Sequence, residues 1–213
     1  MPLPALLAVA ALAGAATLSG RAQAGSRARM TAAQTETHWA RLVELLKGGR
    51  WRDALELNKA EGKSKLDLGR ADLTGADLSG ADLTRARLVE ADLSRANLTN
   101  ADLTGADIEF INLTGANLTE ANLTRAELFR ANLTNANLTN ANLTNANLTR
   151  TNLTGANLTR TNLTGATLEG AHLPGSFLTP GTRVDAVPWT GTPSGWRAIA
   201  SPRGVRFFPL SEE

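Results

Sequence analysis

A four-sided parallel β-solenoid is the fold class predicted for this chain, on three observations. A Leu returns at every fifth position from Leu68 to Leu178, with Ile108 the one substitute, through 23 consecutive units without a break in phase. Two positions before each stands a small residue, mostly Ala (Ala71, Ala76, Ala81, Ala86), and one position before it mostly Asp or Asn. Departures from this unit recur 20 residues apart.

The period itself excludes the ordinary elements. A helix gathers apolar residues on one face at a period near 3.6 and a strand at a period of 2; a strict period of 5 does neither over a long run. Residues two apart do share one side of an extended backbone. Each unit is therefore expected to be one short extended edge that points Ala and Leu inward, followed by a corner. One edge buries too little to stand alone, so the edges coil and stack.

The exceptions count the edges per coil. The residue after the central one is Ser or Thr in 17 of 23 units, and the departures are Gly69, Val89, Glu109, Phe129, Glu169 and Pro174. Five of these six differ by multiples of 20, as do Arg87, Glu127 and Thr167 one position before the central residue. Twenty residues are four units, so the irregular units stack in one column.

The unit Ala-Asp/Asn-Leu-Thr-X, repeated over residues 66–180, resembles the pentapeptide-repeat family. The resemblance implies an all-β solenoid, a right-handed quadrilateral parallel β-helix with Leu at the centre of each face. Nearly six coils at the usual strand spacing of ~4.8 Å make a rod roughly 25 to 30 Å long. It also implies a helical lead-in carrying Trp. Some members are known as DNA mimics that occupy a DNA topoisomerase.

Four segments follow along the chain. Residues 1–24 read as a secretory signal: an apolar run from Ala5 to Leu18, then the small-residue cleavage pattern Ala22-Gln23-Ala24, although no Lys or Arg precedes the run. Residues 25–65 turn helical, with Trp39, Leu42, Val43 and Leu46, then Trp51, Ala54, Leu55 and Asn58, at spacings of three and four around Gly48-Gly49. Two short helices capping the first coil are expected, because an open solenoid end exposes unpaired backbone groups and core. Residues 66–180 are the β-helix. In the tail, 181–213, Trp196 to Ala200 and Val205 to Phe208 read as a hairpin about Ser201-Pro202-Arg203-Gly204, which closes the far end or serves as a dimer contact.

Composition removes several functions. There is no Cys, so no disulfide or thiolate metal site exists, and His38 and His172 are too isolated to be a ligand set; both are expected as surface or cap residues. No catalytic triad, phosphate-cradling loop or paired-carboxylate pocket appears, a rod filled by Leu and Ala offers no evident cavity, and neither enzyme activity nor a cofactor is expected. Residues 25–65 carry a net +4 and the rod −4, which disfavours direct nucleic-acid binding. Eleven Asn-Leu-Thr sequons, such as Asn97-Leu98-Thr99, are by-products of the repeat.

Three faces of the rod repeat Asn and Thr. The fourth stacks Asp67, Arg87, Asp107 and Glu127 in one column, Val89, Glu109 and Phe129 in the next, and Arg70, Glu90, Phe110 and Arg130 in a third. Asp67 is expected to pair with Arg87 and Arg70 with Glu90, which holds the register of the coils. Two outward Phe mark a contact surface. The candidate partner-binding residues are thus Arg87, Val89, Glu90, Glu109, Phe110, Glu127, Phe129 and Arg130, meeting an unknown protein or another copy; packing of this face under the chain's own helices or tail is the alternative. The resulting expectation is a non-enzymatic, exported scaffold or protein-protein interaction module in the periplasm, outside the cell or in a thylakoid lumen, with no membrane span in the mature chain. Two competing readings are a gyrase-directed DNA mimic in the cytoplasm, favoured by the early Asp72, Asp77, Asp82, Asp92, Asp102 and Asp107, and an ice- or surface-binding rod.

Overall fold

The computed structural model describes residues 32–173, 176, 196–201 and 204–209. The expected signal segment and most of the tail beyond Leu173 lie outside the described residues.

One unit shows how the coil is built. Around residues 117–121, the Asn117 N–H donates back to the Ala96 carbonyl at 2.9 Å, and the Leu118 and Glu120 N–H donate forward to the carbonyls of Asn137 and Thr139 at 2.7 and 2.9 Å. The Ala121 N–H closes the corner on the Leu118 carbonyl at 3.1 Å. The remaining donor, the Thr119 N–H, reaches the Oδ1 of Asn117 at 3.2 Å. All five N–H groups of the unit are satisfied, as buried or half-buried backbone requires. The ladder places each residue beside the one 20 further on, Asp67 with Arg87, Arg87 with Asp107 and Asp107 with Glu127, so four units make one coil.

The expected extended edges are shorter than a strand. Each face contributes a single parallel-bridge residue, the one before the central Leu, because the corner takes the two residues after it. The corner also demands a backbone most residues avoid. All 21 last positions of the units from Arg70 to Gly170 have φ between +55° and +69°, and 14 of them are not glycine. Left-handed backbone costs an ordinary L-residue about 1 to 2 kcal/mol, less for Asn. From Arg70 to Arg150 the coil accepts this because the same residue's N–H joins the ladder.

Inside, Leu and Ala are buried from Leu68 to Leu173. Five larger or polar side chains take Ala positions among the described residues, Leu66 at the first and Ser176, whose hydroxyl donates to the Leu173 carbonyl at 2.7 Å, at the last. Ile111 is buried with Ile108 on either side of the Glu109-Phe110 corner, and Thr151 and Thr161 donate their hydroxyls to the Leu128 and Leu138 carbonyls at 2.8 Å.

Helix α1 spans Ala32–Lys47 and helix α2 Trp51–Ala60. Both end in the same way. Gly49 at φ +69° sends its N–H to the Leu46 carbonyl while the Arg50 N–H reaches Leu45, and Gly62 at φ +70° does so to Lys59 while Lys63 reaches Asn58. These are Schellman closures, for which glycine is the suited residue. Leu42, Leu45, Leu46 and Ala54 are buried in the same hydrophobic cluster as Leu66 and Leu68 of the first coil. His38 is buried with its Nε2 3.5 Å from the Asn58 Oδ1, and the Asn58 amide donates to the carbonyls of Lys63 and Lys65. In the tail, β1 (Trp196–Ser201) and β2 (Gly204–Pro209) form an antiparallel hairpin with Ser201 opposite Gly204, at the place the sequence marks.

The side-chain acceptor inside each unit is open to test. Asn137 accepts from the Thr139 N–H and hydroxyl and donates to the Thr119 hydroxyl. Asn137→Leu removes all three and is expected to cost about 1 to 2 kcal/mol in urea unfolding, whereas Asn137→Asp keeps the acceptor and costs less than half as much.

Candidate interaction face

The three regular faces are chemically closed. At 17 of the 21 units the N–H after the central Leu donates to the Oδ1 two residues earlier. In most of these the Thr hydroxyl donates to the same oxygen, as Thr119 does to Asn117 at 2.6 Å. That hydroxyl in turn accepts the Asn amide of the next coil: Asn117 donates to Thr99 at 2.9 Å, Asn137 to Thr119 at 2.9 Å and Asn162 to Thr144 at 2.9 Å. Each such amide points toward the preceding coil. The first coil has no coil before it, and its Asp residues serve as the acceptor-only end: Asn97 donates to Asp77 at 3.0 Å, and Lys47 of α1 donates to Asp72 at 2.7 Å.

The four units without the side-chain acceptor bond, those at Val89, Glu109, Phe129 and Glu169, are the irregular column. Arg87 offers no acceptor, and Glu127 is one methylene longer than the geometry takes. The column uses other bonds instead. Arg87 Nη1 lies 3.2 Å from Asp67 Oδ1, Arg70 Nε 2.9 Å from Glu90 Oε2, and Asn147 donates to Glu127 Oε2 at 2.9 Å. Both expected ion pairs are therefore present. Gly69 has a part that the column pattern does not show: a Cβ there would lie 2.6 Å from Arg87 Nη1, so the missing side chain opens the path from Arg87 to Asp67. The signal was available, since Gly69 opens the column of exceptions.

The aromatic pair is built around Phe110. Its side chain is 42% exposed, the one exposed large hydrophobic among the described residues. Phe129 is only half-buried, not fully exposed as the column pattern implied. The two rings meet edge to face with centroids 5.7 Å apart, and the Arg130 guanidinium lies 5.9 Å from the Phe110 centroid and 5.3 Å from that of Phe129. Arg87, Glu90, Glu127 and Arg130 are exposed around the rings, while Val89 and Glu109 are half-buried. Phe110 takes φ +56°, so its corner turns the ring outward at a conformational cost.

Beside the upper end of this face α1, α2 and the first coil enclose a cleft of about 290 Å³, lined by His38, Trp39, Asn58, Asp67 and Arg87 among others. No local sequence pattern marks it, because it lies between segments and not in the rod. His172 is exposed at the bridge position next to Asn152. Among the described residues no group of three His, Cys, Asp or Glu is placed to hold a metal, and no helix is long and apolar enough to cross a membrane.

Comparison with known proteins gives one family. The model for pentapeptide repeats matches residues 67–105, 106–145 and 141–179. No curated protein matches the chain. Among solved structures, a pentapeptide repeat protein from the Arabidopsis thaliana thylakoid lumen is 36% identical over 55% of this chain and 68% of its own, at a TM-score of 0.26. Rfr23 of the cyanobacterium Cyanothece 51142 is 36% identical over 59% of this chain and 69% of its own, at a TM-score of 0.23. QnrB1, a plasmid-mediated fluoroquinolone resistance protein, is 24% identical over 55% of this chain, at a TM-score of 0.37; the chain spans 66% of its length.

The contact of Lys47 with the first coil sets a pH dependence. The Lys47 ammonium, then the N–H and hydroxyl of Thr74, hold the Asp72 carboxyl at about 2, below its ordinary 3.8. Hydrogen bonds from Ser79 lower Asp77 and those from Ser94 lower Asp92 in the same direction. A carboxyl that keeps its charge more strongly when folded stabilises fully above its unfolded pKa of ~3.9 and loses that stabilisation as the pH falls through the folded value. Lys47→Met is expected to raise the Asp72 pKa toward 3.8 in an NMR carboxyl titration; an unchanged value would remove the ion pair from the account.

Proposed function

The chain belongs to the pentapeptide-repeat family, and on that premise we propose that it is a non-enzymatic interaction module whose irregular face, centred on Phe110, docks a partner protein. The observation that carries this reading is the placement of Phe110: an exposed ring at a left-handed corner, braced by Phe129 and Arg130, in the one column that gives up the acceptor bond made by its neighbours. Exposed aromatics flanked by Arg are what binding hot spots are made of. The family indicated is not an enzymatic one.

The helices and the tail act as caps in this reading. Supporting the first is the shared hydrophobic cluster of Leu42, Leu46 and Leu68. We assign the protein to an exported compartment after removal of residues 1–24, on the apolar run from Ala5 to Leu18 and the Ala22-Gln23-Ala24 site.

The two competing readings lose support from the same hydrogen bonds. A DNA mimic needs a sustained acidic field, but Asp72 and Asp77 are engaged by Lys47, Ser79 and Asn97, and Arg85 and Arg95 stand at corners of the same coils. An ice-binding array needs hydroxyls free to meet the lattice, but Thr99, Thr104, Thr114 and Thr119 each donate to their own Asn or Asp.

Phe110→Asn, which suits the left-handed corner, combined with Phe129→Ser is expected to leave the circular dichroism spectrum intact and to reduce capture of the cognate protein about tenfold or more. A control on a regular face, Asn157→Asp, is expected to leave capture unchanged. Equal capture by all three proteins would sink the proposal.

A further inference from the structure

We propose that the occupant of this face is a second copy of the same chain, lying antiparallel with its two-fold axis at the coil that carries Phe110; the inference rests on the interaction-face reading above. The columns repeat every 20 residues, and a two-fold axis across the face at the level of Asp107 to Phe110 keeps each column opposite itself while exchanging the coil before with the coil after. Arg87 then faces Glu127 of the second copy, Glu90 faces Arg130, and Val89 faces Phe129, each pair occurring twice. Phe110 meets its own equivalent on the axis.

No other level both joins opposite charges in two columns and sets Phe110 on its equivalent: an axis midway between the coils of Asp67 and Arg87 pairs Asp67 with Arg87 and Arg70 with Glu90 but leaves Phe110 away from its equivalent. An axis between the coils of Asp107 and Glu127 sets those two carboxylates against each other, and one at the coil of Arg87 sets Asp67 against Asp107. A parallel arrangement also pairs opposite signs, but it sets the most exposed apolar ring, Phe110, against the carboxylate of Asp107. Only the antiparallel arrangement joins the charges and covers the ring together. It leaves like pairs as well: Asp107 on Asp107 and Glu109 on Glu109 at the axis, whose side chains are half-buried, and Arg70 on Arg150 further out, where the long side chains can turn aside. Three coils at ~4.8 Å spacing present far less than the ~800 Å² per partner of a standard interface, so the association is weak and concentration-dependent.

Sedimentation velocity of the full chain, from micromolar to millimolar concentration, is expected to show a monomer passing reversibly to a dimer. Glu127→Arg places like charges together twice and is expected to weaken the dimer about tenfold or more. Adding Arg87→Glu in the same chain exchanges the two signs within that column and is expected to restore it. Because the chain has no Cys, introduced thiols report orientation directly. A mixture of Val89→Cys and Phe129→Cys chains should join through a short bis-maleimide, while Phe129→Cys alone should not. A monomer at millimolar concentration overturns the proposal, as does Phe129→Cys joining to itself, or a dimer indifferent to Glu127→Arg. If the chain is monomeric yet capture of another protein still depends on Phe110, self-association fails and the interaction-face reading stands.

Discussion

The structure depends on one backbone donor. In an inner unit such as 117–121 four N–H groups find carbonyls in the corner or in a neighbouring coil, and the fifth, after the central Leu, finds the side chain two residues before it. A buried or half-buried donor left unmet costs about 1 to 3 kcal/mol, so the short Asp or Asn side chain, which meets this donor in 17 of the 21 units, is a main support of the coil. Leu and Ala fill the rod, but an apolar core of the same volume suits many folds; the short polar acceptor before each Leu selects this one.

From that bond follows the order of Asp and Asn along the chain. An Asn has a spare amide after its oxygen is engaged, and it points this amide to the hydroxyl or oxygen of the preceding coil, as Asn132 does to Thr114 at 3.0 Å and Asn112 to Asp92 at 3.1 Å. The first coil needs acceptors only, and Asp supplies them. Stacked Asp residues repel, while Asn stacks without charge. The gradient is thus a direction built into the ladder, starting where Lys47 of α1 meets Asp72.

Much of this was legible in the sequence because a period is a geometric statement. The five-residue repeat gave the inward pair of Ala and Leu, and the 20-residue spacing of exceptions gave the columns, including the pairs Asp67 with Arg87 and Arg70 with Glu90. The left-handed corners were not legible, since Arg70, Phe110 and Glu120 are residues that seldom adopt them, and only the ladder bond made by their N–H enforces the conformation. The half-burial of Phe129 escaped for a similar reason: columns tell which residues are neighbours, while the lean of one ring over another depends on side-chain torsions and on Arg130. The cleft beside Arg87 joins segments far apart in the chain, and no local pattern encodes it.

The irregular face gives up the acceptor bond at Val89, Glu109 and Phe129 and exposes a phenyl ring. Surface ion pairs return only ~0 to 1 kcal/mol each. If the face exists for contact, stability must be the poorer for it; if it exists to hold the coils in register, stability must depend on it. The direct measurement is the thermal midpoint of a chain in which residues 87–90, 107–110 and 127–130 are each replaced by Asn-Leu-Thr-Asn. A midpoint equal to or above that of the natural chain is expected here, and a clearly lower one would mean that the irregular face is there to hold the coil together.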